Sequence, residues 1–344
     1  MNRRDFLHPR RIASTAGQVL GALSTLDAAE PSPAEMSLLR LSRRAMATTF
    51  EIAIPAGRPQ ALDAAKAALD EIDRLEQQLT VFREDSEVSL LNQRAAETPV
   101  EVESGLHALL AEAARIHRET EGAFDISTGA LINLWTLHRR RGNVPCPEEL
   151  EAARLKSGMQ HVALQPNAHT VRYLRSGLSI NLGSIGKGYA LDRAADILRR
   201  DLGLHEAVLH GGHSSVYAMG AGDGRGWPVG IRHPWNPERR LGVLRLRNQA
   251  LGTSAATFQH LEYQGRKLGH ILDPRTGWPA EGMLGASVVA ATAAEADALA
   301  TAFFILGVEK AQAYCRTRPD IAAVLLPAEN DAEPICVGLT AENA

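Results

Sequence analysis

The chain has 344 residues, with 45% apolar and 22% charged side chains. This is the composition of an ordinary soluble protein, long enough for one large domain or two modest ones. The formal net charge of −3 supplies no basic footprint and argues against a nucleic-acid partner.

The first predicted segment is not part of the fold. Asn2-Arg3-Arg4-Asp5-Phe6-Leu7, followed by a mild apolar stretch from Ile12 to Leu23, has the shape of a twin-arginine export signal. Ser14, Thr15, Gly17 and Gln18 make that stretch too polar to span a membrane. No Cys follows it, which argues against a lipoprotein anchor. Small residues at Ala28 and Ala29 precede Glu30-Pro31-Ser32-Pro33. The expected layout is therefore a signal at 1–29, a linker at 30–40 and a domain at 41–344, with a periplasmic or otherwise exported destination and no transmembrane segment in the mature chain.

Along the domain, Thr48–Pro55 alternates at period two and predicts a strand. Pro59–Leu79 carries Leu62, Ala65, Leu69, Ile72, Leu75 and Leu79 at helical spacing. Leu106–Glu121 predicts a second helix stopped by Gly122. Short strands are expected at Thr170–Tyr173, Gly177–Leu182 and Ala207–Leu209, and a third helix at Gly188–Leu202. Gly220–Gly226 reads as a hairpin loop. Strands at Val243–Leu246 and Ser287–Ala291 follow. Thr292-Ala293-Ala294-Glu295 is a capping-box signature that opens a fourth helix, closed by Gly307. Short strands with interspersed helices indicate an α+β or mixed α/β domain. Cys146, Cys315 and Cys336 are widely spaced without a CxxC, so they form no zinc pattern and allow at most one disulfide; they read as buried thiols.

Three segments carry chemistry. Leu268 to Gly277 delivers His270 from a strand into a Pro-initiated turn. Ala294 to Thr301 places Asp297 and Thr301 four residues apart, on one face of an Ala-rich helix. A base and a two-oxygen site for a hard metal suit phosphoryl or nucleotidyl chemistry, although an isolated His or helical Asp is more often structural. Asn181-Leu182-Gly183-Ser184-Ile185-Gly186-Lys187-Gly188-Tyr189 is a Gly-rich turn entering a helix, which can present amides to an anion or serve as a plain structural turn. Its spacing is not that of a Walker A loop. Gly211-Gly212-His213-Ser214-Ser215 is not a nucleophile elbow, which leaves a serine hydrolase without support.

Seven blocks appear in order: Ala45–Thr49, Ser86–Asn92, Gly122–Gly129, Asn181–Tyr189 with Asp192, Thr253-Ser254, His270–Gly277 and Ala296–Thr301. Together they resemble the ApbE family of FAD:protein FMN transferases, over about residues 45–325. The resemblance implies an α+β domain of two interleaved halves, with mixed sheets, flanking helices and FAD in the cleft. It implies Mg²⁺-dependent transfer of FMN from FAD to a Thr or Ser hydroxyl of an acceptor protein, with release of AMP. By position, Met46, Phe82, Ala123, Phe124, Asp125, Asn181, Lys187 and Ile271 would line the FAD site, Phe82 as an aromatic over the flavin. Ser184, through its backbone carbonyl, with Asp297 and Thr301, would hold Mg²⁺, and His270 would be the catalytic base. An FAD pyrophosphatase or a non-catalytic FAD-binding protein would share most of these features. The chain departs from the family's usual residues at Asn181, Ser184, Gly186, His213 and Ala255.

Overall fold

A computed structural model describes residues 37–344, except 223, 257–259, 330–331, 341–342 and 344. The twin-arginine motif and the rest of the expected signal lie outside the described residues. Strands and helices are numbered along the chain. The main sheet contains β1 (Leu38–Ala45), β2 (Thr48–Pro55), β6 (Ala207–Gly211), β7 (Ser215–Met219), β10 (Gln249–Ala255), β13 (Met283–Ala290), β14 (Ala322–Pro327) and β15 (Ile335–Val337), hydrogen-bonded in that order. A small sheet joins β3 (Val100–Glu101), β5 (Thr170–Tyr173) and β4 (Val162–Gln165). Two ribbons complete the strands: β8 (Trp227–His233) with β9 (Asn236–Leu246), and β11 (Leu261–Tyr263) with β12 (Arg266–Leu268). Every ladder is antiparallel among the described residues, and the parallel pairing expected of a mixed sheet is confined to one isolated bridge, Thr128 with Ser179.

The helices are α1 (Ala61–Leu79), α2 (Glu87–Arg94), α3 (Ser104–Glu119), α4 (Gly129–Arg141), α5 (Pro147–Arg154), α6 (Gly186–Asp196) and α7 (Ala293–Thr317). α1 buries Ala65, Leu69, Ile72, Leu75 and Leu79 against β1, β2 and α6, as its periodicity specifies, while Leu62, expected on the same face, is exposed. α7 lies on β10 and β13, and α6 crosses it. The crossing is close because two glycines permit it. A Cβ on Gly188 would lie 2.0 Å from the carbonyl oxygen of Ala293, and one on Gly252 would lie 2.3 Å from the carbonyl carbon of Ala296. The N-terminal half of α7 is therefore held between α6 and β10 with almost no side chain between the backbones. The α+β class holds, and the described residues contain no helix long and apolar enough to cross a membrane.

Several sequence expectations require correction. β1 begins at Leu38, so residues 38–40 belong to the sheet and not to the linker. Gly177–Leu182 is not a ladder strand: the Asn92 side chain binds both polar groups of Ile180, and Asn181 N–H donates to Ile126 O. Apart from the single Thr128–Ser179 bridge its backbone groups are taken by a side chain and by isolated contacts, so no ladder forms. Gly220–Gly226 is not a hairpin, because β6 and β10 already occupy both edges of β7; the segment instead leads into β8 of a separate ribbon. Gly307 does close the helix that Thr292 opens, with φ 76° and ψ 179°, but a second helical segment that was not expected follows it directly and runs to Thr317. The cysteines are free, with Cys146 and Cys336 exposed and only Cys315 buried.

Candidate functional site

The site is assembled where α6, α7 and the adjoining ends of β7 and β10 meet. Successive residues of a strand face opposite ways, and Ser215 pairs with Gly252 in register. Ser215, Gly252 and Ser254 thus share the sheet face beneath α7, as their contacts show. Ser215 Oγ donates to the Asp297 carboxylate, 2.7 Å from Oδ1 and 2.8 Å from Oδ2. Gly188 N–H donates to Asp297 Oδ2 at 2.9 Å. Ser254 Oγ lies 3.1 Å from Thr301 Oγ1, which itself donates to the Asp297 backbone carbonyl at 3.2 Å.

Asp297 is buried, and desolvation pushes its carboxyl up to about 6 despite Lys187, Ser215 and Gly188, all of which favour the ionised form. Relative to its ordinary value of 3.8, this corresponds to about 3 kcal/mol against the bare anion. No ion-pair partner lies within contact distance among the described residues. A divalent cation would offset this penalty, and the side-chain groups gathered here, the Asp297 carboxylate and the hydroxyls of Thr301, Ser215 and Ser254, are all oxygens. Mg²⁺ takes few protein ligands and shares the rest of its shell with substrate phosphates and water. The residues present therefore fit it. The described residues contain no cluster of three or more His, Cys, Asp or Glu side chains that would suggest a softer or all-protein metal site.

The Gly-rich turn has a role that sequence reasoning only half anticipated. Its helix N-terminus does meet an anion, but the anion is the protein's own Asp297, bound through Gly188 N–H. Asp192 does the same for α7: its carboxylate accepts from Ala293 N–H at 2.7 Å and Ala294 N–H at 2.9 Å. Burial and the nearby Asp297 and Asp196 act against ionised Asp192, and its carboxyl is pushed up to about 7.

His270 is not at a strand end. β12 stops at Leu268, and the imidazole sits in a bend with its ring open to solvent on one side. Protein crowding on the other side, then Arg139 and Lys187, hold its pKa below the usual 6.5, so the neutral ring is favoured near neutrality. Lys187 is the connecting group. Its charge acts on both His270 and Asp297, which brings imidazole, ammonium and carboxylate into one electrostatic neighbourhood.

The other expected residues vary in how they stand toward this centre. Met46 and Ala47 form the β1–β2 turn with φ 48° and 59°. Such values are uncommon for side chains with a Cβ, and Met46 N–H is pinned to Glu76 at 2.6 Å. Phe82 is 93% exposed, a free aromatic face on the loop before α2. Asn181 is half-buried and accepts from Gly183 N–H through Oδ1, while Ile271 is half-buried against the core. Ala123 and Phe124 are core residues, and Asp125 is used internally. Its carboxylate accepts from Ser127 N–H, Ser127 Oγ and Met159 N–H. The apolar pair packs inward and the carboxylate ties the loop together. His213 is exposed beyond β6.

Sequence reasoning missed Ser215. The available signal was a hydroxyl at the mouth of the otherwise apolar strand Ser215–Met219, where a buried donor requires an acceptor. It also gave Asn92 no role, although that side chain ties α2 to the Ile180 backbone and accepts from Tyr173 Oη at 2.8 Å.

Comparison with known proteins places this geometry among relatives. The sequence model of the ApbE family matches residues 46–325. The chain is 34% identical over 280 residues to an FAD:protein FMN transferase of Treponema pallidum, covering 76% of this chain and 77% of that one. It is 29% identical over 318 residues to an FAD:protein FMN transferase of Escherichia coli K12, with 88% of each chain covered. Among solved structures it resembles the flavin transferase ApbE from Vibrio cholerae, with a TM-score of 0.77 and 26% identity over 88% of this chain and 97% of that one. It also resembles the ApbE protein of Thermotoga maritima, with a TM-score of 0.75 and 27% identity over 85% and 94% of the two chains.

Proposed function

The chain belongs to the ApbE family, and on that footing we propose that it is an FAD:protein FMN transferase that uses Mg²⁺ and passes FMN to a Thr or Ser hydroxyl of an acceptor protein, releasing AMP. The observation that carries this reading is Lys187, whose charge acts on both His270 and Asp297. A base and a hard-metal carboxylate around one cation suit attack on a pyrophosphate.

Asp297, Thr301 and the Ser184 carbonyl would hold Mg²⁺, which when bound neutralises charge developing on the pyrophosphate oxygens. The chain's own groups do the rest. His270, held neutral, takes the proton of the acceptor hydroxyl as that oxygen bonds to the FMN phosphorus. The bond from that phosphorus to the bridging oxygen breaks, and the bridging oxygen leaves with AMP. Lys187 supplies a fixed positive charge beside the phosphates. Phe82, Met46 and Ile271 offer apolar surface for the flavin. The export signal at Arg3-Arg4 supports a periplasmic or otherwise exported site of action.

The test incubates the protein with FAD and Mg²⁺, with and without an acceptor, and follows AMP and protein-bound flavin fluorescence. Bound flavin in step with AMP is the expected outcome. AMP formed equally without acceptor would replace the transferase reading with an FAD pyrophosphatase, and FAD binding without AMP would reduce it to a flavin-binding protein.

A further inference from the structure

No hydrogen bond from a described residue orients the His270 ring, so its placement must come from the backbone on either side. Both ends of that backbone are held by one helix. From α4, Arg139 Nη2 donates to the carbonyl of Gly269, the peptide just before His270. One turn earlier on the same face, Trp135 Nε1 donates to the carbonyl of Gly277 at 2.7 Å. Between these points the turn is rigid. The Asp273 carboxylate accepts from Arg275 N–H and its guanidinium, Gly277 N–H donates to Asp273 O, and Asp273 N–H donates to Trp278 O.

The anchors are themselves fixed. Trp135 is buried with Leu131, Leu150 and Leu268 and meets Trp278 edge-on, with ring centroids 5.3 Å apart. The Arg139 guanidinium lies over the Trp135 ring, 5.9 Å from its centroid. Its Nε is buried without a hydrogen-bond partner, and no carboxylate among the described residues pairs with it. An arginine held by a carbonyl and an aromatic face keeps its positive field on its surroundings. The charged groups acting on His270 are Arg139 from α4 and Lys187 from α6.

We propose that Trp135 and Arg139 form a two-point clamp that positions His270, with Arg139 also setting a positive charge beside the turn that carries it. This rests on His270 being the base, as proposed above. Both are positioning residues: they reach the reaction only through the His270 turn.

Three variants separate geometry from charge. Arg139→Met removes charge and donor, Arg139→Lys keeps charge but loses the planar fork, and Trp135→Phe keeps a ring but loses the Nε1 donor. The readouts are the pH profile of AMP release and the titration of the His270 ring by NMR, assigned against His270→Ala. Arg139→Met should move both the acid limb and the ring titration to higher pH, so that turnover on that limb falls about 3- to 10-fold more than on the alkaline plateau. Arg139→Lys should leave the titration near wild type. Trp135→Phe should lower the plateau by about 10-fold without moving the limb. An Arg139→Met protein with unchanged limb and ring titration overturns the clamp. Should His270→Ala itself turn over normally, the base reading fails, while the NMR titrations still report whether Arg139 acts on His270. A variant that does not fold is replaced by Arg139→Lys with Trp135→Phe, whose divergent profiles test the same division.

Discussion

Gly188 and Gly186 sit two residues apart at the start of α6, yet alanine should act oppositely at the two. At Gly188 the new Cβ would lie 2.0 Å from the Ala293 carbonyl oxygen and 2.3 Å from its carbon, roughly 1.5 Å short of ordinary contact. Both partners are backbone, so α6 and α7 must separate. Overpacking of this kind costs about 1–3 kcal/mol. Separation also stretches the Gly188 N–H bond to the buried Asp297 carboxylate, with a loss of about 1–3 kcal/mol. Replacing Gly by Ala within a helix returns about 1 kcal/mol, leaving a net loss of about 3 kcal/mol and a Tm lower by about 5–10 °C. At Gly186 the Cβ would meet only Leu182 Cβ at 3.7 Å and Leu79 Cδ1 at 4.0 Å, both comfortable. Gly186→Ala should therefore hold or raise Tm by about 2 °C. Paired melting curves by circular dichroism decide the matter. Equal Tm values for the two variants would refute the close-crossing argument.

Other consequences are open to direct measurement. His270→Ala should lower AMP release by about 10²–10⁴ while leaving FAD fluorescence quenching intact; near-normal turnover would remove His270 from the mechanism. Because the His270 pKa is held below 6.5, the neutral base persists through neutrality and is lost only as pH falls, so wild-type turnover should be flat near pH 7 and decline on the acid side, and an inflection above 7 would contradict this. Asp297→Asn keeps volume and can accept from Gly188 N–H while its amide faces Ser215 Oγ; the magnesium titration should vanish with Tm within a few degrees of wild type, and an unchanged titration would defeat the metal assignment. Replacing Arg3 and Arg4 by Lys keeps the charge but loses the motif, and fractionation should find the precursor inside; normal export of the double variant would exclude the twin-arginine route.

The sequence made legible those elements whose burial is periodic. α1 and β2 fall close to their expected bounds because one face of each meets the core. β10 is hard to read because Gly252, Ser254 and Ala255 have poor strand character; Gly252 and Ser254 are small where α7 lies on them, a tertiary requirement that local propensity does not report. α4 was missed because its interior buries only Leu131, Trp135 and His138, too few to mark a stripe. At the site, the helix register alone puts Asp297 and Thr301 on one face, and the hydrogen bond from Thr301 Oγ1 to the Asp297 carbonyl follows from that spacing. Ser215 was not legible, since its role depends on a sheet register that pairs it with Gly252. Phe124 and Asp125 lay in a recognisable block, but whether a block faces a ligand or the interior is decided by the fold.

The pairing of β2 with β6 has a consequence for how the molecule comes together. These neighbours in the main sheet are separated by about 150 residues of chain, which include α1 to α6 and the small sheet. Closing so long an excursion adds little to the equilibrium cost, since the entropy of closure grows only with the logarithm of its length. Its effect falls on rate: distant pairing of this kind slows folding. Asp297 then arrives still later in the sequence, after Gly188 and Ser215, which receive it. The centre is therefore completed only when nearly the whole chain has been made and its two distant strands have met.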